Sequence, residues 1–150
     1  GSANGKSIRF HESDVRATGR NAQGVLGMRL ENGDRIVGLE VLSYGQTLLT
    51  ITENGFGKRT SIDEYPVQKR GGKGVITIKT SERNGKVVNI LLVDDEDDVM
   101  LITNTGKIIR TPVKDISIIS RNTQGVKLIS LDALEKVVAV ARLAEKEEEE

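Results

Sequence analysis

Three segments of the chain repeat one pattern of residues at intervals of 50 or 51 positions. In each segment two arginines stand 11 positions apart, and a Gly-Val pair starts four positions after the second arginine. The arginine pairs are Arg9 with Arg20, Arg59 with Arg70, and Arg110 with Arg121. Repeats of this length are typical of small units that stack on one another and bury a shared core. The 150 residues therefore predict a short repeat array rather than one irregular domain.

Each repeat has the sequence pattern of short β-strands. Residues 75–79 alternate apolar and polar side chains, and residues 86–93 form a nearly continuous apolar strand. Asn-Gly pairs at 32–33, 54–55 and 84–85 accept positive φ and predict turns between strands. We therefore expect an all-β protein with four-stranded, propeller-like blades of about 50 residues. A helix is expected only from about Ala139 onward.

The repeat divides the chain into unit 1 (residues 3–52), unit 2 (53–103) and unit 3 (104–143). Residues 1–2 are interpreted as a cloning remnant and residues 144–150 as an acidic tail. Unit 1 starts with a strand that belongs late in a preceding blade, and unit 3 is not followed by a further copy of the strand that starts at Leu48. Three complete, closed blades are therefore not expected. Either the chain is part of a larger ring, or two chains complete each other as a homodimer.

The composition excludes several kinds of chemistry. The chain has no cysteine and no tryptophan, and His11 is its single histidine. Disulfides, thiolate metal sites and histidine-based catalysis are therefore not expected, and we predict no cofactor, no metal and no catalytic residue. No apolar run approaches the roughly 20 residues that cross a bilayer, so no membrane partner is expected. The lack of cysteine fits a reducing cytoplasm.

The net charge of zero conceals an uneven distribution of charge. Nine of the 22 acidic residues stand in two runs, at 94–98 and 147–150. Between Lys6 and Val93 there are 14 lysines and arginines against 9 acidic residues. A basic body of this kind fits a polyanionic partner such as nucleic acid. The run at 94–98 lacks the spacing of a calcium loop and is predicted to be a solvated turn between two strands.

Residues 68–74, which we call the box, read Gln68, Lys69, Arg70, Gly71, Gly72, Lys73 and Gly74. This segment resembles the seven-residue box of the DNA gyrase A C-terminal domain, as do its flank at 54–65 and the later segment at 113–126. The resemblance covers residues 3–143 and implies a β-pinwheel, a six-bladed ring whose neighbouring blades exchange strands and whose positive rim wraps DNA. This chain then corresponds to the last three blades. The A subunit of topoisomerase IV is a second candidate, and the intact box favours gyrase.

The residue types of the box suit contact with DNA phosphates. Glycines allow a tight loop with open backbone amides, and lysine and arginine supply cations. The second arginines of the three repeats stand at equivalent positions, so they predict a curved cationic track along successive blades. The predicted DNA-binding residues are Gln68, Lys69, Arg70, Gly71, Gly72, Lys73, Gly74, Arg20, Arg121, Lys58 and Arg59.

The first arginine of each repeat also has a structural interpretation. Each precedes an acidic residue by five positions, and an ion pair within a blade is the alternative to DNA contact. The three possible pairs are Arg9 with Asp14, Arg59 with Glu64, and Arg110 with Asp115. Aromatic residues are few and dispersed, so duplex DNA is expected rather than a single strand. Phe56 and Tyr65 are predicted to be core residues.

The resemblance implies a non-catalytic module of DNA gyrase, an ATP-dependent type II topoisomerase. Such a module binds the phosphate backbone of duplex DNA without sequence specificity and supports negative supercoiling. The implied partners are double-stranded DNA, the gyrase B subunit, and the rest of the gyrase A subunit, in the bacterial cytoplasm near the nucleoid. A protein-interaction or scaffold propeller is the alternative function that the residues leave open.

Overall fold

The computed structural model describes residues 1–144, so the predicted acidic tail lies outside the described residues except for Ala144. The regular elements of the described part are β-strands and three short 3-10 turns at Glu12–Asp14, Ile62–Glu64 and Val113–Asp115. The strands in chain order are β1 (Lys6–Ser7), β2 (Arg9–Phe10), β3 (Thr47–Thr52), β4 (Phe56–Ser61), β5 (Val67–Gln68), β6 (Val75–Ile76), β7 (Val87–Val93), β8 (Asp98–Thr103), β9 (Ile108–Pro112), β10 (Val126–Lys127) and β11 (Val137–Leu143). Within residues 1–144, no helix has the length and apolar character needed to cross a membrane.

The central blade is a four-stranded antiparallel sheet in the order β10-β4-β3-β7. The β3 strand lies inside this sheet because both of its faces are buried. Successive side chains of a strand point to opposite faces, and Leu48 and Leu49 are both buried. β3 joins β4 through the predicted Asn-Gly turn, where Gly55 has a φ of +84°. The strands predicted at 48–52 and 86–93 are confirmed.

Strands are exchanged between neighbouring units. β10 belongs to unit 3 but pairs with β4 of unit 2, where Lys127 lies opposite Phe56. β6 belongs to unit 2 and pairs in the same way with β1 of unit 1, where Ile76 lies opposite Lys6. We call each of these contacts between neighbouring units a joint. Ile76 and Lys127 occupy the same position of the repeat, and so do Lys6 and Phe56. The two joints therefore have the same register. The strand exchange implied by the resemblance is confirmed.

The two outer blades contain fewer strands. The third blade is a three-stranded sheet in the order β11-β8-β9, and the first contains the β1-β6 pair and a bridge between Ser2 and Ile36. The sheets formed by residues 1–144 do not close into a ring, which confirms the predicted partial ring. The helix expected from Ala139 onward is wrong. Residues there form β11 instead, because the apolar residues of this segment complete the sheet beside β8.

Gly1 and Ser2 take part in the fold, although their sequence led us to exclude them from it. Ser2 is fully buried and pairs with Ile36. The amino group of Gly1 donates a hydrogen bond to the carbonyl oxygen of Gly38 at 2.9 Å, and burial lowers the pKa of this amino group. By the repeat spacing, the two residues occupy the position that the end of β3 has in the central blade.

Two apolar clusters hold the blades together, one on each side of the central sheet. Leu48 packs with Tyr65 and with Val37 of the first blade. Leu49 packs on the other side with apolar residues of β8 in the third blade. Burial of one such side chain is worth about 1.5–3 kcal/mol. Tyr65 and Phe56 are buried, which confirms their predicted place in the core.

Candidate nucleic-acid interface

The box lies at the joint between units 1 and 2, and strands hold it at both ends. It overlaps the end of β5, which pairs in parallel with β2 of unit 1, and it precedes β6, which pairs with β1. Residues 119–125 occupy the same place at the joint between units 2 and 3, and residues 18–24 are the equivalent segment of unit 1. We call these three segments the box loops. The box and residues 119–125 lie on these two joints, so each of the two loops both connects units and presents side chains.

Two glycines of the box are needed for close packing rather than for leaving their backbone amides open to a ligand. The amide of Gly71 donates to the carbonyl oxygen of Gly27 at 2.7 Å, so it is not open to a phosphate as predicted. Gly74 has a φ of +76°, and a Cβ atom there would lie 2.2 Å from the carbonyl oxygen of Ser7. Glycine at this position therefore lets the exchanged strand approach the neighbouring unit. The carbonyl of Gly72 accepts a hydrogen bond from the unit 1 backbone at 2.8 Å.

The second arginine of units 2 and 3 clamps its box loop to the preceding unit. Arg121 donates through Nε to the carbonyl oxygen of Glu64 at 2.6 Å and through Nη1 to that of Ile76 at 2.8 Å. Its guanidinium also lies 6.0 Å from the centre of the Tyr65 ring. The hydrogen-bond acceptors are backbone carbonyls, so these two bonds depend on the shape of the neighbouring unit rather than on its side chains.

Arg70 makes the equivalent clamp at the other joint. Its Nε donates to the carbonyl oxygen of Asp14 at 2.9 Å and its Nη1 to that of Leu26 at 3.1 Å. The acceptors stand 50 positions before those of Arg121, at the same points of the repeat. Arg20, the third member of the predicted track, is exposed. Arg70 and Arg121 thus add positive charge to the joints while their geometry is set by the fold.

Lys58 cannot contact DNA in this structure, which corrects its predicted role. Its side chain is fully buried, and Nζ donates to the carbonyl oxygens of Ser120 at 2.6 Å and Arg121 at 2.5 Å and to Thr123 Oγ1 at 3.0 Å. Burial lowers its pKa to about 8. Lys58 therefore binds the last box loop from inside the joint. Units 1 and 3 carry isoleucine at the equivalent position, and this was a signal in the sequence that the site is interior.

Arg59 is likewise buried, so its predicted DNA contact is also corrected. Its Nε donates to the carbonyl oxygen of Ile116 at 2.8 Å, and its Nη1 lies 2.5 Å from Asp95 Oδ1. The structural interpretation of this arginine is thus right, but the partner is not Glu64. The chain reversal at 94–98 brings the acidic run beside Arg59, and spacing along the sequence does not reveal that contact.

The other first arginines also find partners outside their predicted pairs. Arg110 Nε lies 2.5 Å from Asp98 Oδ2, on the strand beside it. Arg9 Nη1 donates to the carbonyl oxygens of Ile62 and Tyr65 at 3.0 and 3.2 Å. The predicted pairing with an acid five positions on is wrong for all three arginines, because their guanidinium groups bind these other acceptors instead.

The acidic run at 94–98 is a turn between β7 and β8, as predicted, but it is only partly solvated. Asp97 is buried, and its Oδ2 accepts from the amide of Asp94 at 2.8 Å and lies 3.0 Å from Arg142 Nε. These contacts tie the turn to β11. In the part of the chain that the structure describes, no group of three acidic or histidine side chains is arranged to hold a metal ion.

The exposed cations of the box are Lys69 and Lys73. A cleft of about 300 Å³ lies beside Lys69 and is lined by Asp14, Lys69 and Arg70. Gln68 is half-buried, and its Oε1 accepts no hydrogen bond from residues 1–144. Of the predicted box side chains, the two lysines are therefore the ones best placed to meet a polyanion.

Two further cations beside the box loops were missed in the sequence. The amide of Arg29 donates to the carbonyl oxygen of Gly72 at 2.8 Å, so its exposed side chain starts next to the box. The amide of Lys79 donates in the same way to the carbonyl oxygen of Thr123 at 2.8 Å, next to the following box loop. Arg29 and Lys79 stand 50 positions apart, so a positive charge recurs at one position of the repeat. That recurrence in the sequence could have identified both residues as candidates.

Comparison with known proteins agrees with this architecture. The sequence matches the family described as "DNA gyrase C-terminal domain, beta-propeller" in three segments, at residues 1–43, 46–94 and 97–144. It is 52% identical over 149 residues to the A subunit of DNA gyrase from Escherichia coli (strain K12), and the match covers 99% of this chain and 17% of that protein. The A subunit of DNA gyrase from Pseudomonas aeruginosa is 45% identical over 144 residues, with 96% and 16% covered. The chain thus spans about a sixth of the length of these curated relatives.

Solved structures show the same fold. The C-terminal domain of DNA gyrase A superposes with a TM-score of 0.87 at 31% identity, covering 95% of this chain and 48% of that chain. The C-terminal domain of DNA topoisomerase IV superposes with a TM-score of 0.88 at 26% identity, covering 95% and 45%. Since the three matched segments of the family together span nearly the whole sequence, the chain belongs to the β-propeller family of DNA gyrase C-terminal domains.

Proposed function

We propose that the chain is a non-catalytic module that binds and wraps duplex DNA through the phosphate backbone. The observation that carries this proposal is the recurrence of exposed cations beside successive joints. Lys69 and Lys73 lie in the box, Arg29 lies beside it, and Lys79 lies beside the next box loop. Exposed cations at both joints give a track of positive charge, and backbone phosphates are the natural ligands of such a track.

The clamps at the joints support wrapping rather than simple attraction. DNA resists tight bending, because its persistence length is about 50 nm. A protein that bends DNA must offset this cost with many contacts on a surface that does not itself deform. Arg70 and Arg121 fix the box loops against the neighbouring units, so the lysines stand on rigid supports. Since backbone contacts carry no base information, little sequence preference is expected.

The printed names of the relatives, which are A subunits of DNA gyrase, support a proposal for the larger assembly. We place this chain in the A subunit of a DNA gyrase, where it works with the rest of that protein and with the gyrase B subunit. In that assembly strand cleavage and ATP hydrolysis lie elsewhere, and the module supports negative supercoiling by setting the path of the DNA. The corresponding location is the bacterial cytoplasm, near the nucleoid.

A second candidate is the equivalent module of topoisomerase IV, which the TM-score of 0.88 supports. The intact box and the higher identity to the solved gyrase domain, 31% against 26%, favour gyrase. A protein-interaction propeller is the other alternative. It predicts no preference for duplex DNA over another polyanion such as heparin.

Binding of a labelled duplex, with heparin and a single strand of equal length as competitors, tests the proposal. We expect the parent chain to prefer the duplex and Lys69→Ala/Lys73→Ala to lose much of its affinity. Arg35→Ala/Lys86→Ala is the matched control, because it also removes two exposed cations but neither lies on a box loop. Equal displacement by heparin and duplex, or equal losses in the two variants, would count against DNA binding at the box.

A further inference from the structure

A second cleft, of about 380 Å³, lies where units 2 and 3 meet. Unit 2 lines it with Asn54, Phe56 and Arg83, and the residues that unit 3 contributes include Lys127 and Lys136. Phe56 and Lys127 lie opposite each other in the pair of β4 with β10, so the cleft belongs to the joint between the two units. It is separate from the cleft beside the box.

Three cations from three segments of the chain meet at this cleft, and other residues hold two of them in place. The guanidinium of Arg83 lies 5.1 Å from the centre of the Phe56 ring, and Lys136 Nζ donates a hydrogen bond to Asn54 Oδ1. The side chain of Asn54 is itself fixed, because its Nδ2 donates to the carbonyl oxygen of Arg83 at 3.1 Å. Lys127 adds the third cation from β10. Donors that are already in place lower the entropic cost of binding a ligand.

Within residues 1–144, no carboxylate forms an ion pair with any of these three cations. Glu135 also lines the cleft, but unit 3 already uses both of its carboxylate oxygens. Its Oε1 accepts from the amide of Asp132 at 3.2 Å, and its Oε2 accepts from the hydroxyl groups of Thr103 and Thr105. Like charges that are held together repel one another, and an anion between them would offset that repulsion.

The first joint does not repeat this group of cations. Ile76 stands there at the position that Lys127 has in the second joint. By the 50-residue spacing, Gly33 stands at the position of Arg83. Cations that only continued a uniform track would recur at both joints, as the two cations beside the box loops do. The group at the second joint therefore has a role of its own.

The donors of this cleft suit a phosphate group. Arginine and lysine are the usual side chains that bind phosphate, and here they come from three segments of the chain. The oxygens of a phosphate point in different directions from a tetrahedral centre, whereas the two oxygens of a carboxylate lie in one plane. We propose that the cleft is a phosphate-binding site whose donors are Arg83, Lys127 and Lys136.

Two kinds of phosphate can reach the site. One is a backbone phosphate of DNA, because the box loop at 119–125 is linked to the cleft through Lys79. The amide of Lys79 donates to the carbonyl oxygen of Thr123 in that loop, and the carbonyl oxygen of Lys79 accepts from Nδ2 of Asn84 at 2.7 Å, next to Arg83 in the chain. The other is a free phosphate compound. The inference does not rest on DNA binding by the box, since a free phosphate tests the site alone.

Calorimetric titration with tripolyphosphate, at an ionic strength held constant with sodium chloride, tests the site without DNA. We expect saturable binding to the parent chain. Arg83→Gln/Lys127→Gln should bind at least about tenfold more weakly, because two charged donors are lost. No saturable binding to the parent, or equal affinity of the parent and this variant, would overturn the inference.

Two control variants locate the binding. Arg35→Gln/Lys86→Gln removes two exposed cations that do not line the cleft, so it should bind tripolyphosphate as the parent does. Lys69→Ala/Lys73→Ala removes the exposed cations of the box and should also keep the affinity of the parent. If only the box variant loses tripolyphosphate, the anion binds at the box and the cleft is not the site.

Asp132→Asn gives an effect that misfolding cannot imitate. Asp132 is exposed and lines the cleft, so its carboxylate repels an anion there. Its removal should strengthen tripolyphosphate binding by about twofold or more. Asp63→Asn is the matched control, since Asp63 is exposed but does not line the cleft, and it should leave the affinity unchanged. Equal affinities of these two variants would contradict the proposed site.

The salt dependence of duplex affinity distinguishes the two sources of phosphate. If a backbone phosphate enters the cleft, the logarithm of the binding constant should fall less steeply with the logarithm of salt concentration in Arg83→Gln/Lys127→Gln, by about 0.9. An unchanged slope, with tripolyphosphate bound by the parent, assigns the site to a free phosphate. An unchanged slope without that binding overturns the inference. Absence of duplex binding by the parent would refute the proposed function and leave the tripolyphosphate result intact.

Discussion

Arg121→Ala separates the two roles that its position in the repeat suggests. As a cation on a DNA track, Arg121 would affect DNA affinity and leave the fold unchanged. As a clamp, it holds the last box loop on unit 2 through the carbonyl oxygens of Glu64 and Ile76. Its own carbonyl oxygen also accepts from the buried Lys58. The structure therefore predicts that removing this side chain destabilises the joint between units 2 and 3.

The magnitude follows from the contacts of Arg121. A hydrogen bond from a charged donor contributes about 1.5–3 kcal/mol, and the lower value applies here because the guanidinium is only partly buried. Two such bonds give about 3 kcal/mol. The guanidinium over the Tyr65 ring adds about 0.5 kcal/mol. We expect Arg121→Ala to lower the free energy of unfolding by about 3.5 kcal/mol.

Urea denaturation followed by far-UV circular dichroism measures this loss. Arg121→Lys keeps the positive charge but has one ammonium group, which cannot reproduce the fork between two carbonyl oxygens, so it should recover less than half of the lost stability. Lys73→Ala is the control for an exposed cation and should change stability by no more than about 0.5 kcal/mol. If the unfolding free energy of Arg121→Ala lies within about 0.5 kcal/mol of that of the parent, or if Arg121→Lys has the full stability of the parent, the clamp does not exist.

Three further predictions concern other buried or strained positions. The pKa of Lys58 is about 8 in the folded chain, against the ordinary 10.5. Between these pH values the unfolded chain binds more protons, so the free energy of unfolding should rise from pH 8 to 10 relative to that of Lys58→Met. Gly74→Ala should lower the free energy of unfolding more than Gly45→Ala does. Both glycines have positive φ, but only a Cβ atom at Gly74 would meet a neighbouring backbone. Equal losses in the two variants would refute the close approach at Gly74. Hydrogen bonds, chiefly from Thr105, lower the pKa of Glu135. The stability that this carboxylate contributes above pH 4.5 should therefore be lost on further acidification. In acid denaturation, Glu135→Gln should show a smaller loss of unfolding free energy over that pH range than the parent chain.

The repeat made much of the fold predictable. Equivalent arginines and Gly-Val pairs at constant spacing indicate units of one shape, and alternating segments such as β6 indicate strands. The strand exchange followed from the resemblance, because pairing between units leaves no local mark in the sequence. The segment of β11 shows the limit of periodicity. Six of its seven residues are apolar, and so short an apolar run fits a helix or a strand equally well. Only the neighbouring β8 decides between them.

The site was less predictable than the fold, for a physical reason. A lysine or arginine in a repeat can face solvent or can donate to a buried acceptor. Backbone carbonyls are acceptors that every residue carries, so the sequence does not show which of them a cation will meet. Lys58 and Arg59 adjoin each other in one strand, so their side chains point to opposite faces. Both are nevertheless buried, because β4 is covered on both faces. Lys69 and Lys73 stayed exposed because the box loop turns them away from the joint.

The salt dependence of affinity for one duplex tests most directly whether the exposed lysines of the box bind phosphates. The logarithm of the binding constant should fall linearly with the logarithm of salt concentration, by about 0.9 for each phosphate neutralised. We expect Lys69→Ala/Lys73→Ala to flatten that slope by about 1.8, since two phosphate contacts are lost. A slope equal to that of the parent chain would contradict phosphate binding by these lysines.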